Sequence, residues 1–204
     1  MGTVVVFTNV TLDGVMQAPG SPDEDRRDGF EHGGWATPYA AMAQAGGGMA
    51  NTGALLLGRR TYEDFYAVWP QRKDNPFTAV LNNMQKYVAS TTLEEPLSWM
   101  NSTLLQGDAA EAVAKLKKEP GNDLVILGSG ELVQSLMRRN VVDEYVLLIH
   151  PLVLGSGRRL FTDGGAFAAL RLVNSKTTTN GVVIATYQPA EPTTAADNLA
   201  GDHT

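Results

Sequence analysis

Twice in this chain a short, unbroken apolar run ends on glycine and passes directly into an amphipathic stretch: ALLLG-RRTYEDFYAVW at 54 to 69 and LVILGSG-ELVQSLM at 124 to 137. An apolar run without polar alternation suits a strand covered on both faces. Behind the first run Tyr62, Phe65, Tyr66 and Trp69 recur at i, i+3, i+4 and i+7, and behind the second Leu132, Val133, Leu136 and Met137 form the equivalent stripe. Strand, glycine turn and helix, used twice, predict an α/β chain with a mainly parallel sheet layered between helices.

The remaining segments fit around that frame. TVVVFT (3 to 8) reads as a first strand running into the turn-like Asp13-Gly14, and YVAS (87 to 90) and STLLQ (102 to 106) read as further strands. From Val15 to about Gly34 the chain is rich in Pro, Gly, Asp and Arg, a loop long enough to be functional or mobile. TPYAAMAQA (37 to 45) and AAEAVAKLKK (109 to 118) read as helices. After Asp143 the helices stop: EYVLLIHPLVL is followed by LRLVNSKTT and GVVIATYQ around Asn180-Gly181, a hairpin signal that makes the end of the sheet antiparallel. The reading is one domain over 1–188 and a disordered tail over 189–204, where Pro, Thr, Ala and Asp show no apolar periodicity.

Charge and composition exclude several functions. The formal net charge is −6, about −3 once the acidic tail is set aside, so neither nucleic acid nor an anionic membrane is an expected partner. Without cysteine there is no thiolate ligand, disulfide or cysteine nucleophile. His32, His150 and His203 are scattered without carboxylates at ligand spacing, so no metal is expected, and His150 reads as a core or edge residue. YVLLIHPLVL is too short to span a membrane, and MGTVVVF lacks the marks of a leader, so a cytoplasmic protein is expected.

What chemistry remains is anion binding. A helix that follows a buried strand presents unpaired N–H groups and a partial positive charge at the sheet's carboxyl edge. Gly58 permits close approach there, Arg59 can add a fork of donors and Thr61 a hydroxyl. Gly128, Ser129, Gly130 and Glu131 form a second such turn, and Ser90 and Thr91 end a strand at the same edge. Taken alone, each segment is more simply read as a plain turn or strand end, and it is their occurrence together that points to a ligand; Arg60 is assigned no role beyond solvation. Asp13, Asp28 and Glu31 are the acid–base candidates, with turn capping or solvation as their other reading.

TLDGVMQAPG, LLLGRRTYEDF and DLVILGSGELVQSLMRRNVVDEYVLLIHPLVLGSGRRLF, in this order, resemble the dihydrofolate reductase-like family, in particular stand-alone relatives of the reductase domain of riboflavin-biosynthesis enzymes. The resemblance runs from about Thr3 to Tyr187. It implies a three-layer α/β/α fold with antiparallel C-terminal strands, bound NADPH, a small-molecule substrate and a homodimer. It places Gly58, Arg59 and Thr61 at cofactor phosphates, Ser90 and Thr91 near the adenosine 2′-phosphate, and Gly128, Ser129, Gly130, Glu131 and Leu132 beside the pyrophosphate and nicotinamide. Asn9 to Met16 would border nicotinamide and substrate, and Gly155 to Arg159 would be structural. The function expected is hydride transfer to a planar C=N or C=O substrate, with Asp13 as the acid. The other function class is a nucleotide-binding sensor without useful turnover. Two departures bear on the substrate. Residues 36 to 50 hold no Asp or Glu, where classical dihydrofolate reductases grip the pterin, and Val15 and Leu127 stand where riboflavin-pathway reductases typically carry lysine and glutamate.

Overall fold

Leu55, Leu56 and Leu57 are fully buried because successive side chains of a strand point to opposite faces, and here both faces are covered. In the computed structural model, which describes residues 1–39, 53–73, 75–119 and 123–190, eight strands form one sheet. They are β1 (Val4–Thr11), β2 (Ala54–Gly58), β3 (Gln85–Ala89), β4 (Ser102–Leu105), β5 (Leu124–Leu127), β6 (Glu144–His150), β7 (Leu170–Thr177) and β8 (Val183–Pro189). Their order is β4-β3-β2-β5-β1-β6-β8-β7, parallel from β4 through β6 and antiparallel for β8 and β7.

Among the described residues four α-helices cover the two faces: α1 (Arg59–Val68), α2 (Pro76–Asn83), α3 (Ala109–Leu116) and α4 (Gly130–Arg138). Val4, Val6, Leu56 and Ile126 pack with Val113 of α3 and with Leu132, Val133, Leu136 and Met137 of α4. Phe7, Leu55, Leu57 and Val125 pack on the other side with Tyr62 of α1, Leu81 of α2 and Trp99. The helix stripe behind β5 is thus buried throughout. Behind β2 only Tyr62 is fully buried, and Tyr66 is 38% exposed. The Asn180-Gly181 turn joins β7 to β8, and β8 rather than β7 pairs with β6.

The loop from Val15 is packed, with its own small core. Val15, Ala18, Phe30 and Trp35 are buried together against Leu152 and Leu154, and the Trp35 indole donates to Gln17 O at 2.8 Å. Of the helix expected over 37 to 45, residues 37 to 39 form a 3₁₀ turn and the rest lies outside the described residues. The expected tail also lies outside them, apart from Pro189, which closes β8, and Ala190.

Candidate active site

Because β1, β2, β3, β5 and β6 run parallel, their carboxyl ends share one edge, and a cavity of about 1140 Å³ opens along it. Gly58, Arg59 and Thr61 after β2, Ser90 and Thr91 after β3, and Gly128, Ser129, Gly130, Glu131 and Leu132 after β5 all line this cavity. Arg60 lines it as well. From β3 through β2 and β5 to β1 the edge spans three strand spacings, about 14 Å, with Phe7, Thr8 and Asn9 at the β1 end.

The two glycine turns are tied together by side chains. Ser129 Oγ accepts from the Gly58 N–H at 3.0 Å and donates to Leu127 O at 2.9 Å, while the Ser129 N–H donates to Thr61 Oγ1 at 3.0 Å. Gly128 and Ser129 are both left-handed, with φ of +55° and +53°. That pair lifts the chain into the first turn of α4. A Cβ on Gly128 would meet Thr61 at 3.2 Å and one on Gly130 would meet Met16 Sδ at 2.8 Å, so both glycines keep the backbone close to its surroundings. The Ser129 hydroxyl is therefore committed to the protein, and Thr61 keeps only its hydroxyl hydrogen to offer.

The charged groups are also partly committed. Arg59 Nη1 pairs with Glu63 Oε2 at 3.1 Å, its side chain 38% exposed. Glu131 is 79% exposed, and its carboxylate holds Arg158 Nη1 at 3.2 Å and Arg60 Nη1 at 3.9 Å. Only its backbone N–H suits an anion. Ser90 Oγ accepts from the Thr92 and Leu93 N–H groups at 3.1 and 3.0 Å, fixing the turn after β3, whereas Thr91 is exposed.

The family model of the RibD C-terminal domain matches residues 2–184. The chain belongs to that family. Two curated relatives, both from Bacillus subtilis (strain 168), are the uncharacterized protein YyaP, 33% identical over 65% of this chain and 72% of its own, and the uncharacterized protein YwjB, 28% identical over 84% and 90%. A putative riboflavin biosynthesis protein from Shewanella sp. PV-4 superposes with a TM-score of 0.65 at 20% identity, covering 93% of this chain and 99% of that one. A diaminohydroxyphosphoribosylaminopyrimidine deaminase/5-amino-6-(5-phosphoribosylamino)uracil reductase from Thermotoga maritima gives 0.59 at 15% identity, covering 93% of this chain and 57% of that one. These similarities identify the fold as the dihydrofolate reductase-like one expected from the sequence.

In this RibD C-terminal domain Asp13 stands apart from the cavity lining. Its carboxylate accepts from Thr11 Oγ1 at 2.6 Å, from the Gly155 N–H at 2.9 Å and from the Leu154 N–H at 3.2 Å. The Thr11 hydrogen bond first, and then the two backbone donors, hold the carboxyl down at about 2. A group so held is an acceptor that fixes a turn, and the geometry does not suit the proton donor expected of it. Asp28 pairs with Arg158 Nη2 at 3.1 Å, also away from the large cavity.

Two long loops supply lining residues that the sequence reading left unassigned. Met16 N–H donates to Arg158 O and Val15 bridges Arg159, so the segment after β6, expected to be structural, brings Gly157, Arg158 and Arg159 to the cavity. The loop after β1 brings Gln17, Glu24, Asp25 and Arg27, and α1 adds Asp64. Burial pushes Glu24 up, and burial and then Asp25 push Asp64 up. Burial works against charge on Asp25 too, but hydrogen bonds from Arg27 outweigh it and keep that carboxyl low. Among the described residues no group of His, Asp and Glu is arranged to hold a metal ion, and no helix is long and apolar enough to cross a membrane.

Proposed function

We propose that this protein is an NADPH-dependent reductase that transfers hydride to a small planar C=N or C=O substrate. The observation that carries the reading is that ten residues drawn from three separate strand ends line one cavity, at the edge where open α/β sheets bind nucleotides. The fit is supported by the backbone: glycines at 128 and 130 let the turn after β5 pack against Thr61 and Met16, and α1 and α4 begin at this edge, where a helix start favours an anion. Arg59 and Thr61 would hold the phosphates, Ser90 and Thr91 the adenosine end, and Leu132 the wall beside the nicotinamide.

NADPH, when bound, supplies the hydride. The protein's part is to orient, to exclude water and to deliver a proton to the nitrogen or oxygen of the reduced bond. Asp64 lines the cavity with a raised carboxyl and takes in this reading the proton-donor role that Asp13 is not placed to fill. The reading includes a homodimer in the cytoplasm; Phe167, Leu172 and Val173, exposed on and just before β7, support a second copy covering that edge.

Titration with NADPH and NADH by fluorescence, followed by NADPH oxidation with pterin, pyrimidine and quinone probes, tests the reading. Tight NADPH binding and oxidation with at least one probe are expected, and absence of NADPH binding would sink it. The withdrawal of Asp13 from the cavity favours a second reading, a nucleotide-binding sensor, and NADPH binding without oxidation would select that one.

A further inference from the structure

Asn9 lies on β1, the strand next to β5, is among the residues that line the cavity, and is in register with Leu148 of β6. Its Oδ1 is 2.9 Å from Nε2 of His150, the last residue of β6. His150 is fully buried, and the rings of Trp35 and Tyr39 meet it edge to face with centroids at 5.1 and 5.0 Å. Its Nδ1 is buried without a hydrogen-bond partner.

A neutral imidazole carries one proton, and the hydrogen bond made by the ring decides which nitrogen holds it. On Nε2 the proton is donated to Asn9 Oδ1. On Nδ1 it would be a buried donor with no acceptor, the costlier arrangement. Burial pushes the imidazole down to about 4, so the ring is neutral in ordinary buffers. With Oδ1 engaged, the Asn9 amide turns Nδ2 away from His150, and among the described residues no protein group accepts its hydrogens.

We propose that His150 is a positioning residue that locks the Asn9 amide with its Nδ2 hydrogens presented to a hydrogen-bond acceptor, a carbonyl oxygen or bare ring nitrogen, on the bound planar substrate. This deepens the reductase reading and rests on it for the identity of the cavity's occupant. Asn9 then sets specificity, because a molecule presenting an N–H at that point leaves two donors facing each other.

The test uses the full chain. Long-range proton–nitrogen NMR of the imidazole is expected to place the proton on Nε2. The Asn9 side-chain amide signals, assigned by their loss in Asn9→Asp, are expected to move on adding menadione, uracil or pterin to the NADPH-loaded protein, or to the free protein if NADPH does not bind. Asn9→Ala and His150→Leu should each weaken the most effective probe about five- to tenfold. His150→Gln, whose amide N–H can replace that of Nε2, should restore most of the loss. A proton on Nδ1, Asn9 signals unmoved by all three probes, or a His150→Leu protein binding as the wild type does would each overturn the proposal. The first two are read on the unaltered protein, so misfolding of a variant cannot mask them. Failure of the reductase reading is a separate result, seen as absent NADPH binding.

Discussion

The backbone N–H of Ser129 donates to Oγ1 of Thr61 at 3.0 Å, so the turn after β5 and the first turn of α1 hold each other in place. Thr61→Val keeps the shape and removes the acceptor, leaving a half-buried N–H unpaired. A loss of about 1 kcal/mol in denaturant unfolding is expected, together with weaker NADPH binding because both turns loosen. Thr61→Ser retains the oxygen and should behave as the wild type in both measurements.

Gly157 gives the segment after β6 its path into the cavity wall. Its φ is +113°, and a Cβ there would stand 2.7 Å from Phe30 Cε2 and 2.8 Å from Val15 Cγ1, both in buried side chains. Neither neighbour can yield without opening the small core around Trp35. Gly157→Ala should therefore cost about 3 kcal/mol, from overpacking together with the left-handed backbone. Gly155, also left-handed at +75° but with nothing within 4 Å, should lose only the backbone part, about 1 kcal/mol. Paired urea melts of the two variants measure the difference.

These two cases mark what the sequence could and could not reveal. Gly58, Gly128 and the buried strands before them are legible because an apolar run, a glycine and a helical period are local signals. The same holds for the antiparallel hairpin at Asn180-Gly181. The role of Gly157 is not local: it depends on Met16 N–H reaching Arg158 O and on Phe30 filling the space beside it, contacts that cross more than a hundred positions. The partners of Asp13 are equally non-local, since the Leu154 and Gly155 donors that occupy its carboxylate follow β6. Tyr66 satisfied the helical period yet stays at the surface, because α1 turns mainly Tyr62 and Phe65 inward. The left-handed Ser129 had no local signal at all.

Lys86 is fully buried on β3, with Nζ donating to the carbonyls of Leu81, Asn82 and Met84 at 2.7, 3.3 and 2.6 Å and lying 4.6 Å above the Trp99 ring. It closes the carboxyl end of α2. Lys86→Met would strand those carbonyls, and a loss of about 3 kcal/mol is expected. Burial pushes the ammonium down to about 8 from 10.5. Between those values the unfolded chain binds the proton and the folded one does not, so this group's contribution to stability rises with pH across the window. Urea melts at intervals from pH 8 to 10 should show a more positive slope for the wild type than for Lys86→Met; equal slopes would mean the ammonium is not displaced.

Asp13 and Asp64 separate structure from chemistry. Asp13→Asn keeps one acceptor of the pair and should cost about 1 kcal/mol while leaving turnover per folded molecule intact. The native carboxyl is held near 2, below its unfolded value of 3.8, so its contribution is complete above the unfolded value and is lost as pH falls through 2. The stability advantage of wild type over Asp13→Asn should therefore shrink as pH falls from about 4 toward 2, read as the difference between paired urea melts, and a constant difference would mean that the carboxyl is not displaced. Asp64→Asn should instead lower kcat about a hundredfold with little change in melting. Unchanged kcat would remove Asp64 from the reaction.

The two arginines that open α1 are distinguished by their partners. Arg59 is held by Glu63 within its own helix, whereas Arg60 lies 3.9 Å from Glu131 across the mouth of the cavity. If Arg59 meets a phosphate it must exchange an exposed pair, worth under about 1 kcal/mol, for charged hydrogen bonds worth about 1.5 to 3 kcal/mol. Arg59→Ala should then weaken NADPH about tenfold, and Glu63→Gln, which frees the guanidinium, should tighten it slightly. Arg60→Ala should act less strongly on NADPH, because the same Glu131 carboxylate remains bound to Arg158. Affinities measured by fluorescence titration at low and high salt check the assignment: a phosphate contact loses strength with salt in the wild type and less so in Arg59→Ala. Equal NADPH affinity in wild type and Arg59→Ala would return Arg59 to the surface, and a larger effect at Arg60 would exchange the two roles.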